Sequence, residues 1–238
     1  MAETRRIRTM DLENPFAESF EGMCELLLIR HGEQQFRENI PLGEAVDAPL
    51  SEMGWMQARA VGNRLAAARL DKVYASPLQR ALNTGKEIAG HHGLEVKVVD
   101  DLSEIDLWKR APQDKGLLDI YSRDELIAVF REVSATRKNS AYPYCEDPDA
   151  FRTRIVAAID RIVADSIGHR VAVVCHGGVI NSYLSHLMQS AYDHLVAVHH
   201  TSITVVRAAD TRRELLTIND YSHVMPFQTA RGGLNASR

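Results

Sequence analysis

The sequence predicts an α/β protein: a three-layer α/β/α sandwich built on a mostly parallel sheet. Short apolar runs, such as residues 26–29 and 171–175, alternate along the chain with longer segments whose apolar residues recur at helical spacing. Such alternation is typical of parallel strands joined by helices, and an all-apolar strand is typical of one that is covered on both faces. The 238 residues are enough for one domain of this kind.

The first predicted strand ends in three residues that suit an anion. Arg30, His31 and Gly32 follow the apolar run of residues 26–29, and ligands of open α/β sheets bind beyond the carboxyl ends of the strands. Arginine binds anions through a bidentate fork, histidine serves as nucleophile or proton carrier, and glycine lets the backbone approach closely. A solvated turn is the ordinary alternative for three residues taken alone. Whether they form an anion site therefore depends on the residues at the other strand ends.

A helix and a short strand are predicted next. The polar segment after Glu33 has no predicted element. Ser51 is a preferred N-cap, and apolar residues recur at helical spacing from there to Leu70. A strand is then expected at Lys72–Ala75.

A second helix is predicted directly after that strand. Ser76 and Pro77 suit the N-cap and the first helical position, so the helix is expected to begin there and to end at about Gly90 or Gly93. Arg80 then lies in the first turn, where the helix macrodipole disfavours a cation by up to about 1 kcal/mol. An anion shared with the helix N-terminus would offset that cost, and a solvated arginine is the alternative.

A third strand, predicted at residues 96–99, leads to a carboxylate at Glu104. From residue 105 to 148 the periodicity loosens, and the apolar residues predict one or two helices over the ends of the strands. This segment is predicted to be a lid or insertion, the usual place for ligand selection. The later elements follow in order: a helix at 149–167, a buried strand at 171–175, His176-Gly177-Gly178 opening a helix at 179–188, and two closing strands at 201–207 and 214–218.

The two ends of the chain are predicted to lie outside the folded domain. Residues 1–22 mix charges with a few aromatic residues and predict a disordered extension or a strap. Met23 stands immediately before the first strand and is an alternative start. Residues 229–238 are rich in Gly, Asn and Ser and predict a flexible tail, so the domain is expected at 23–228.

Composition excludes several classes of function. The net charge of -4 and the isoelectric point near 6.2 give no electrostatic footprint for nucleic acid or for an anionic membrane surface. No apolar run approaches the roughly 18 residues that a membrane span needs. The odd count of 3 cysteines favours reduced thiols over a disulfide framework, and with it a cytoplasmic location. A homodimer is left open.

Four predicted strand ends therefore carry reactive groups. Arg30 and His31 follow the first strand, Arg80 the second, Glu104 the third and His176 the fourth. Because the carboxyl ends of parallel strands share one edge of a sheet, we expect these groups to lie together. Two histidines, two arginines and a carboxylate are a complete set for phosphoryl transfer through a phosphohistidine, and no metal or cofactor is required.

Five motifs, in order along the chain, resemble the histidine phosphatase superfamily, also called the phosphoglycerate-mutase-like family. They span about residues 25–225 and are jointly specific, although each alone is not. They are residues 26–33 (Leu-Leu-Leu-Ile-Arg-His-Gly-Glu), residues 47–58 (Asp-Ala-Pro-Leu-Ser-Glu-Met-Gly-Trp-Met-Gln-Ala), residues 74–84 (Tyr-Ala-Ser-Pro-Leu-Gln-Arg-Ala-Leu-Asn-Thr), residues 102–106 (Leu-Ser-Glu-Ile-Asp) and residues 173–178 (Val-Val-Cys-His-Gly-Gly). The resemblance implies the phosphoglycerate-mutase-like fold.

The resemblance also implies a role for each reactive group. His31 would attack phosphorus and become transiently phosphorylated. Arg30, Arg80 and His176 would hold the equatorial oxygens and stabilise the charge of the transition state. Glu104 would protonate the leaving oxygen and then deprotonate the attacking water.

The sequence departs from the family pattern beside two of the motifs. The family commonly has Thr after Arg-His-Gly-Glu and an Asn three residues later, where this chain has Gln34 and Arg37. Gln34 can still donate a hydrogen bond to phosphate, and Gly177 is expected to bind phosphate through its backbone. Where the family often has Gly-x-Trp-Glu-Gly after the acid, residues 107–110 are Leu-Trp-Lys-Arg.

The resulting prediction is a phosphate monoester hydrolase that acts on a small phosphorylated metabolite. The short insert between Glu104 and His176 favours a phosphatase over a phosphoglycerate mutase, which stays the alternative together with a degenerate binding or scaffold protein. Five aromatic residues of the 105–148 segment would suit a partly apolar leaving group, although each is more typical of a core. They are Trp108, Tyr121, Phe130, Tyr142 and Tyr144.

Two rival chemistries are weaker. Cys175 sits at a strand end before a helix, where a thiol pKa can fall, but a cysteine phosphatase needs Arg six residues later and this chain has Asn181. A metal site lacks His-Glu-x-x-His or Cys-x-x-Cys spacing, and the pairs at 91–92 and 199–200 are adjacent histidines that point apart. His223 is expected to be structural.

Overall fold

A six-stranded mixed sheet forms the centre of the computed structural model, which describes residues 22–210 and 212–225. The strands are β1 Cys24–Arg30, β2 Lys72–Ala75, β3 Val96–Val98, β4 Arg170–Cys175, β5 Ile203–Ala209 and β6 Arg212–Asp220. Their order in the sheet is β3-β2-β4-β1-β5-β6. The predictions for residues 1–21 and 226–238, the flexible tail among them, lie outside the described residues.

The sheet is mostly parallel, as predicted. β1 pairs with β4, β4 with β2 and β2 with β3, all in parallel, whereas β5 runs antiparallel to β1 and β6 antiparallel to β5. The register sets Arg30 opposite Cys175 and Ala75 opposite Val174. The carboxyl ends of β1, β2 and β4 are therefore level with one another.

Helices cover both faces of the sheet, which confirms the three-layer α/β/α class. Leu26 and Leu28 of β1 pack in one apolar cluster with α6 (Pro148–Ala164) and α7 (Gly177–Leu187). Leu27 and Ile29 pack in a second cluster with α2 (Glu52–Leu65) and α3 (Gln79–Gly90). This alternation is the two-residue period of a strand, and it explains why β1 is apolar on every position of that run. The helices are α1 Leu42–Ala45, α2 Glu52–Leu65, α3 Gln79–Gly90, α4 Leu117–Ile120, α5 Arg123–Thr136, α6 Pro148–Ala164 and α7 Gly177–Leu187.

Side-chain caps set the start of three helices, and Ser122, which caps α5, is one of them. Ser51 Oγ accepts a hydrogen bond from Gly54 N at 3.0 Å, so α2 begins where the sequence predicts. Asp147 caps α6 by accepting from Asp149 N at 2.9 Å. The predicted end of α2 at Leu70 is wrong, because the chain turns after Leu65 to enter β2.

Two further predictions about elements are corrected. α1 lies in the segment after Glu33 that was expected to have no element. The helix expected from Ser76 and Pro77 begins at Gln79, because the chain stays extended through Leu78. No helix within the described ranges is long and apolar enough to span a bilayer.

Candidate active site

The carboxyl ends of three adjacent parallel strands place two histidines and a serine close together. His31 N donates to Cys175 O at 3.0 Å, and Ser76 N donates to Val174 O at 3.0 Å. These two hydrogen bonds continue the sheet ladder one residue past β1 and β2. His31, Ser76 and His176 therefore meet at the same edge of the sheet.

The loop after β1 is held against the start of α2 by two glycines. A Cβ on Gly32 would lie 2.4 Å from Gly54 O, and a Cβ on Gly54 would lie 2.0 Å from Glu33 O. Neither distance is possible for a real side chain, so both positions require glycine. The contact fixes the backbone that carries His31.

Hydrogen bonds from two helices hold the same loop. Gly32 N donates to Thr84 Oγ1 of α3 at 3.1 Å, and Glu33 N donates to Gln57 Oε1 of α2 at 2.8 Å. Because Thr84 Oγ1 in turn donates to Arg80 O at 2.8 Å, the loop and the arginine are positioned by one side chain.

The hydrogen bonds of His31 decide which of its nitrogens is free to react. Nδ1 lies 2.6 Å from Gly32 O, and a carbonyl oxygen only accepts, so Nδ1 carries the hydrogen. Nε2 then has a lone pair, and Arg80 Nε donates to it at 3.2 Å. The ring therefore turns an unprotonated nitrogen toward a guanidinium.

The surroundings of His31 keep the ring neutral. Burial is the main reason that its pKa lies well below the ordinary 6.5, and the nearby charges of His176, Arg80 and Arg30 lower it further. The hydrogen bond to Gly32 O acts in the opposite direction. A neutral imidazole is the form that can act as a nucleophile at phosphorus.

His176 is held by the opposite nitrogen. Its ring centroid lies 5.0 Å from that of His31, and its Nε2 lies 2.8 Å from Ser76 Oγ. Leu78 N already donates to Ser76 Oγ at 3.3 Å, so the hydroxyl hydrogen is free to point at Nε2. That arrangement favours the tautomer with hydrogen on Nδ1, which is buried without a hydrogen-bond partner among the described residues.

Two guanidinium groups flank the histidines. Arg30 Nη1 donates to Val198 O at 2.6 Å, whereas its Nε is buried and has no hydrogen-bond partner within the described part of the chain. Arg80 Nη1 donates to Val46 O at 2.9 Å. Unpaired buried donors are costly in a native structure, so Arg30 Nε and His176 Nδ1 indicate a site that an acceptor fills.

Glu104 is positioned by backbone groups. Its two carboxyl oxygens accept from Ile105 N at 3.0 Å and from Gly178 N at 3.1 Å. Burial raises its pKa above the ordinary 4.5, although both backbone hydrogen bonds and the charges of Arg80 and Arg30 act against this shift. A raised pKa suits a carboxyl group to act as a general acid.

Two cavities meet at Glu104. One, of about 220 Å³, is lined by Gln34, Arg80, Glu104 and Trp108, among others. The other, of about 430 Å³, is lined by Arg30, Glu104 and Gly177, together with His200 and neighbouring residues. Glu104 therefore contacts the space on both sides of the cluster.

Comparison with known proteins identifies the family. The sequence model described as "Histidine phosphatase superfamily (branch 1)" matches residues 26–221 of this chain. The chain belongs to this superfamily. Phosphoglycerate mutase-like protein 4 of Arabidopsis thaliana is 29% identical over 232 residues, which are 95% of this chain and 98% of that protein.

Proteins that resemble this chain are named for different activities. The metal-independent phosphoserine phosphatase of Arabidopsis thaliana is 28% identical over 206 residues, 85% of this chain and 84% of that protein. The crystal structure of a phosphoglycerate mutase from Bacillus anthracis superposes with a TM-score of 0.65 at 23% identity, covering 86% of this chain and 96% of that one. The likeness confirms the phosphoglycerate-mutase-like fold, and the superfamily includes both phosphatases and mutases.

Arg80 and Glu104 line the smaller cavity, and Arg30 lines the larger one. His31 and His176 are buried. Arg30, His31, Arg80, Glu104 and His176 form the cluster itself. Gln34 is exposed at the wall of the cavity that contains Arg80, and Gly177 lies beside Arg30, since a Cβ on it would be 3.7 Å from Arg30 Nε. Arg37 is exposed and lines a separate groove.

Sequence reasoning missed the parts that Ser76, Thr84 and His200 take in this candidate site. Ser76 was assigned to a helix cap, yet its hydroxyl contacts His176. Thr84 is the last residue of the motif at 74–84, and its place in that motif is the sequence signal that could have identified it. His200 Nδ1 lies 3.2 Å from His31 O, and its ring centroid is 5.5 Å from that of His31.

The thiol and metal alternatives find little support in the described residues. Cys175 is a free, fully buried thiol, and burial raises its pKa, which disfavours the thiolate that a cysteine phosphatase needs. Within residues 22–210 and 212–225 there is no group of three or more His, Cys, Asp or Glu side chains arranged to hold a metal ion. His223 Nε2 lies 3.2 Å from Thr201 Oγ1.

Proposed function

We propose that this protein is a phosphate monoester hydrolase that acts through phosphorylated His31 on a small phosphorylated metabolite. One observation carries the proposal: His31 Nδ1 is held by Gly32 O, so that Nε2 turns its lone pair toward Arg80. A histidine held in this way is neutral, and the orientation of its ring is fixed. These are the two properties of a nucleophile for phosphoryl transfer.

The groups around His31 match the needs of the transferring phosphoryl group. Arg30 and Arg80 supply positive charge, and Arg30 Nε and His176 Nδ1 are buried donors that lack an acceptor among the described residues. Fixed donors and cations are the main means by which enzymes stabilise phosphoryl transfer. Gln34, at the wall of the cavity, and the backbone of Gly177 would complete the phosphate site.

The reaction would proceed in two balanced steps. In the first, the Nε2 lone pair of His31 forms a bond to phosphorus while the ester P–O bond breaks, and the Glu104 carboxyl gives its proton to the leaving oxygen. In the second, water attacks the phosphohistidine, its proton passes to the Glu104 carboxylate, and the P–N bond breaks. Inorganic phosphate leaves, and both residues return to their initial state.

Phosphoglycerate mutase-type transfer is the second candidate, and one relative, named phosphoglycerate mutase-like protein 4, favours it. Its first step is the same, but the phosphoryl group passes to a second substrate instead of water. A degenerate binding protein is the third possibility. The complete set of five reactive groups argues against it.

Phosphate release from p-nitrophenyl phosphate in the presence of EDTA tests the proposal. We expect turnover by the wild-type protein, and a loss of at least about 10³-fold in His31→Ala, because the nucleophile is removed. His186→Ala is the matched control, since this histidine is exposed near the end of α7. Near wild-type turnover in His31→Ala would overturn the assignment, whereas isomerisation of 3-phosphoglycerate without phosphate release would establish the mutase.

A further inference from the structure

A groove lined mainly by apolar side chains lies next to the phosphate cavity. We name it the apolar groove. It encloses about 570 Å³, and loop residues after β1 form one wall while α4 and α5 form the other. Its main apolar members are Phe36, Ile40, Leu42, Leu118, Ile127 and Phe130.

The groove exposes large apolar side chains to solvent. Phe36 is 89% exposed, Phe130 49%, Ile127 46% and Leu118 39%. Leu42, 6% exposed, and Leu126, 9% exposed, also line it and are buried. A concentration of exposed apolar surface in a concave site is typical of a ligand-binding groove.

Hydrogen bonds between the two walls fix their positions relative to each other. Leu42 N donates to Lys115 O at 2.9 Å, and Gly43 N donates to Gln113 O at 3.0 Å. Asn39 Oδ1 accepts from Leu118 N at 2.9 Å, which ties the wall after β1 to α4. The groove is therefore formed in advance of any ligand.

The groove is continuous with the cavity that contains the reactive groups. Gln34, Leu42 and Ala45 line both the apolar groove and the 220 Å³ cavity of Arg80 and Glu104. Since Glu104 would protonate the leaving oxygen, the leaving group lies on its side of the phosphate. The other cavity that Glu104 lines is bordered by Arg30 and three histidines, whereas the cavity of Arg80 is continuous with the apolar groove.

We propose that the leaving group of the substrate is an extended apolar chain or ring that lies in the apolar groove. This inference rests on the hydrolase proposed above and names its substrate class: a phosphate monoester of an apolar alcohol. The charged groove residues, Arg37, Glu38 and Arg123, are exposed to water. The apolar walls, not these charges, supply the selectivity.

A series of n-alkyl phosphates from ethyl to octyl tests the inference on the full chain. The leaving oxygens are chemically alike, so kcat/KM reports the length of the apolar chain alone. We expect at least a roughly tenfold higher kcat/KM for octyl than for ethyl phosphate, because each buried methylene adds to binding. Equal values for the two esters would overturn the inference while leaving the hydrolase intact.

One substitution in the groove and one matched control complete the test. Ile127→Asp should lower kcat/KM for octyl phosphate by about tenfold and leave ethyl phosphate unchanged, because the charge disfavours an apolar chain. Ile167→Asp is the control: its side chain is 41% exposed and it precedes β4, at the opposite end of the strand from the site. An unchanged octyl-to-ethyl ratio in Ile127→Asp, as expected if the groove receives another protein, would overturn the inference. Failure to hydrolyse any ester would overturn both proposals.

Discussion

At the scale of single residues, His31 and His176 differ in which ring nitrogen is held by a hydrogen bond. The remaining nitrogen of each ring therefore has a different role. His31 is held through Nδ1 by a carbonyl, so its Nε2 is an acceptor. His176 is held through Nε2 by the Ser76 hydroxyl, which favours the tautomer with its hydrogen on Nδ1. Because a neutral imidazole has one hydrogen, the partner of one nitrogen fixes the role of the other.

His200 shows the same dependence on surroundings. Burial, with the charge of Arg30, lowers its pKa to about 4. The ring is therefore neutral at physiological pH. Its neutrality avoids adding a second cation next to Arg30.

The role proposed for Glu104 predicts an unequal effect on two substrates. p-Nitrophenolate leaves without a proton, whereas an alkoxide does not, so Glu104→Gln should lower kcat/KM for ethyl phosphate by about 10²-fold or more. The loss for p-nitrophenyl phosphate should be clearly smaller. Steady-state kinetics on the two esters measure the difference, and equal losses would contradict a general acid.

At the scale of elements, the start of α7 links the fourth strand to the acid. His176 is the N-cap of α7, and Gly178 N in the first turn donates to Glu104. A Cβ on Gly178 would lie 2.4 Å from Glu104 Oε1. The helix thus positions a carboxylate that comes from a distant segment, and it needs glycine to do so.

Gly178→Ala should therefore reduce activity by displacing Glu104, with a fall in kcat/KM of about tenfold or more. Gly90→Ala is the matched control, since nothing lies within 4 Å of a Cβ there. The control should keep full activity, and alanine should favour the helix by up to about 1 kcal/mol. Urea denaturation alongside kinetics separates the effects. Full activity in Gly178→Ala would show that the close approach does not matter.

At the scale of the whole molecule, several buried or partly buried histidines share a lowered pKa. Desolvation by burial is the first cause in each case. They are His31, His176, His194, His200 and His223. The unfolded chain therefore binds more protons than the folded protein below the ordinary histidine pKa of about 6.5.

This difference predicts that the protein loses stability in mild acid. A lowered folded-state pKa gives stability that is present above the unfolded pKa and lost as the pH falls below it. From about pH 7.5 to about pH 5.5, each fully buried histidine should cost about 1 kcal/mol of unfolding free energy. Glu104 acts in the opposite direction, since its pKa is raised, but it is one group against five.

Urea denaturation at several pH values in that window measures the predicted loss. His200→Gln should flatten the pH dependence, because this histidine has a pKa of about 4 in the folded protein. Equal or greater stability at the acid end would contradict the prediction.

A cytoplasmic location, a homodimer and a lid at residues 105–148 stay predictions.

Sequence patterns alone are enough to predict the α/β class and to place the reactive groups at one edge of the sheet. Its apolar runs marked β1, β2 and β4, and parallel strands place their carboxyl ends at one edge, so Arg30, His31, Arg80 and His176 had to converge. Local signals failed where a distant partner competes for the same atom. Ser76 looks like an N-cap, but its hydroxyl contacts His176, and Asp47 accepts from Gln79 N at 2.7 Å at the start of α3.

Three features of the site depend on the tertiary structure. They are the hydrogen-bond partners of each histidine, the position of His200 beside His31, and the apolar groove. Ser76 and His176 are 100 positions apart in sequence, and His31 and His200 are 169 apart. Local patterns report helical and strand periods, which cover a few residues. Contacts across such separations depend on how the sheet, the helices and the loops pack, so the chemistry of the site depends on the assembled fold.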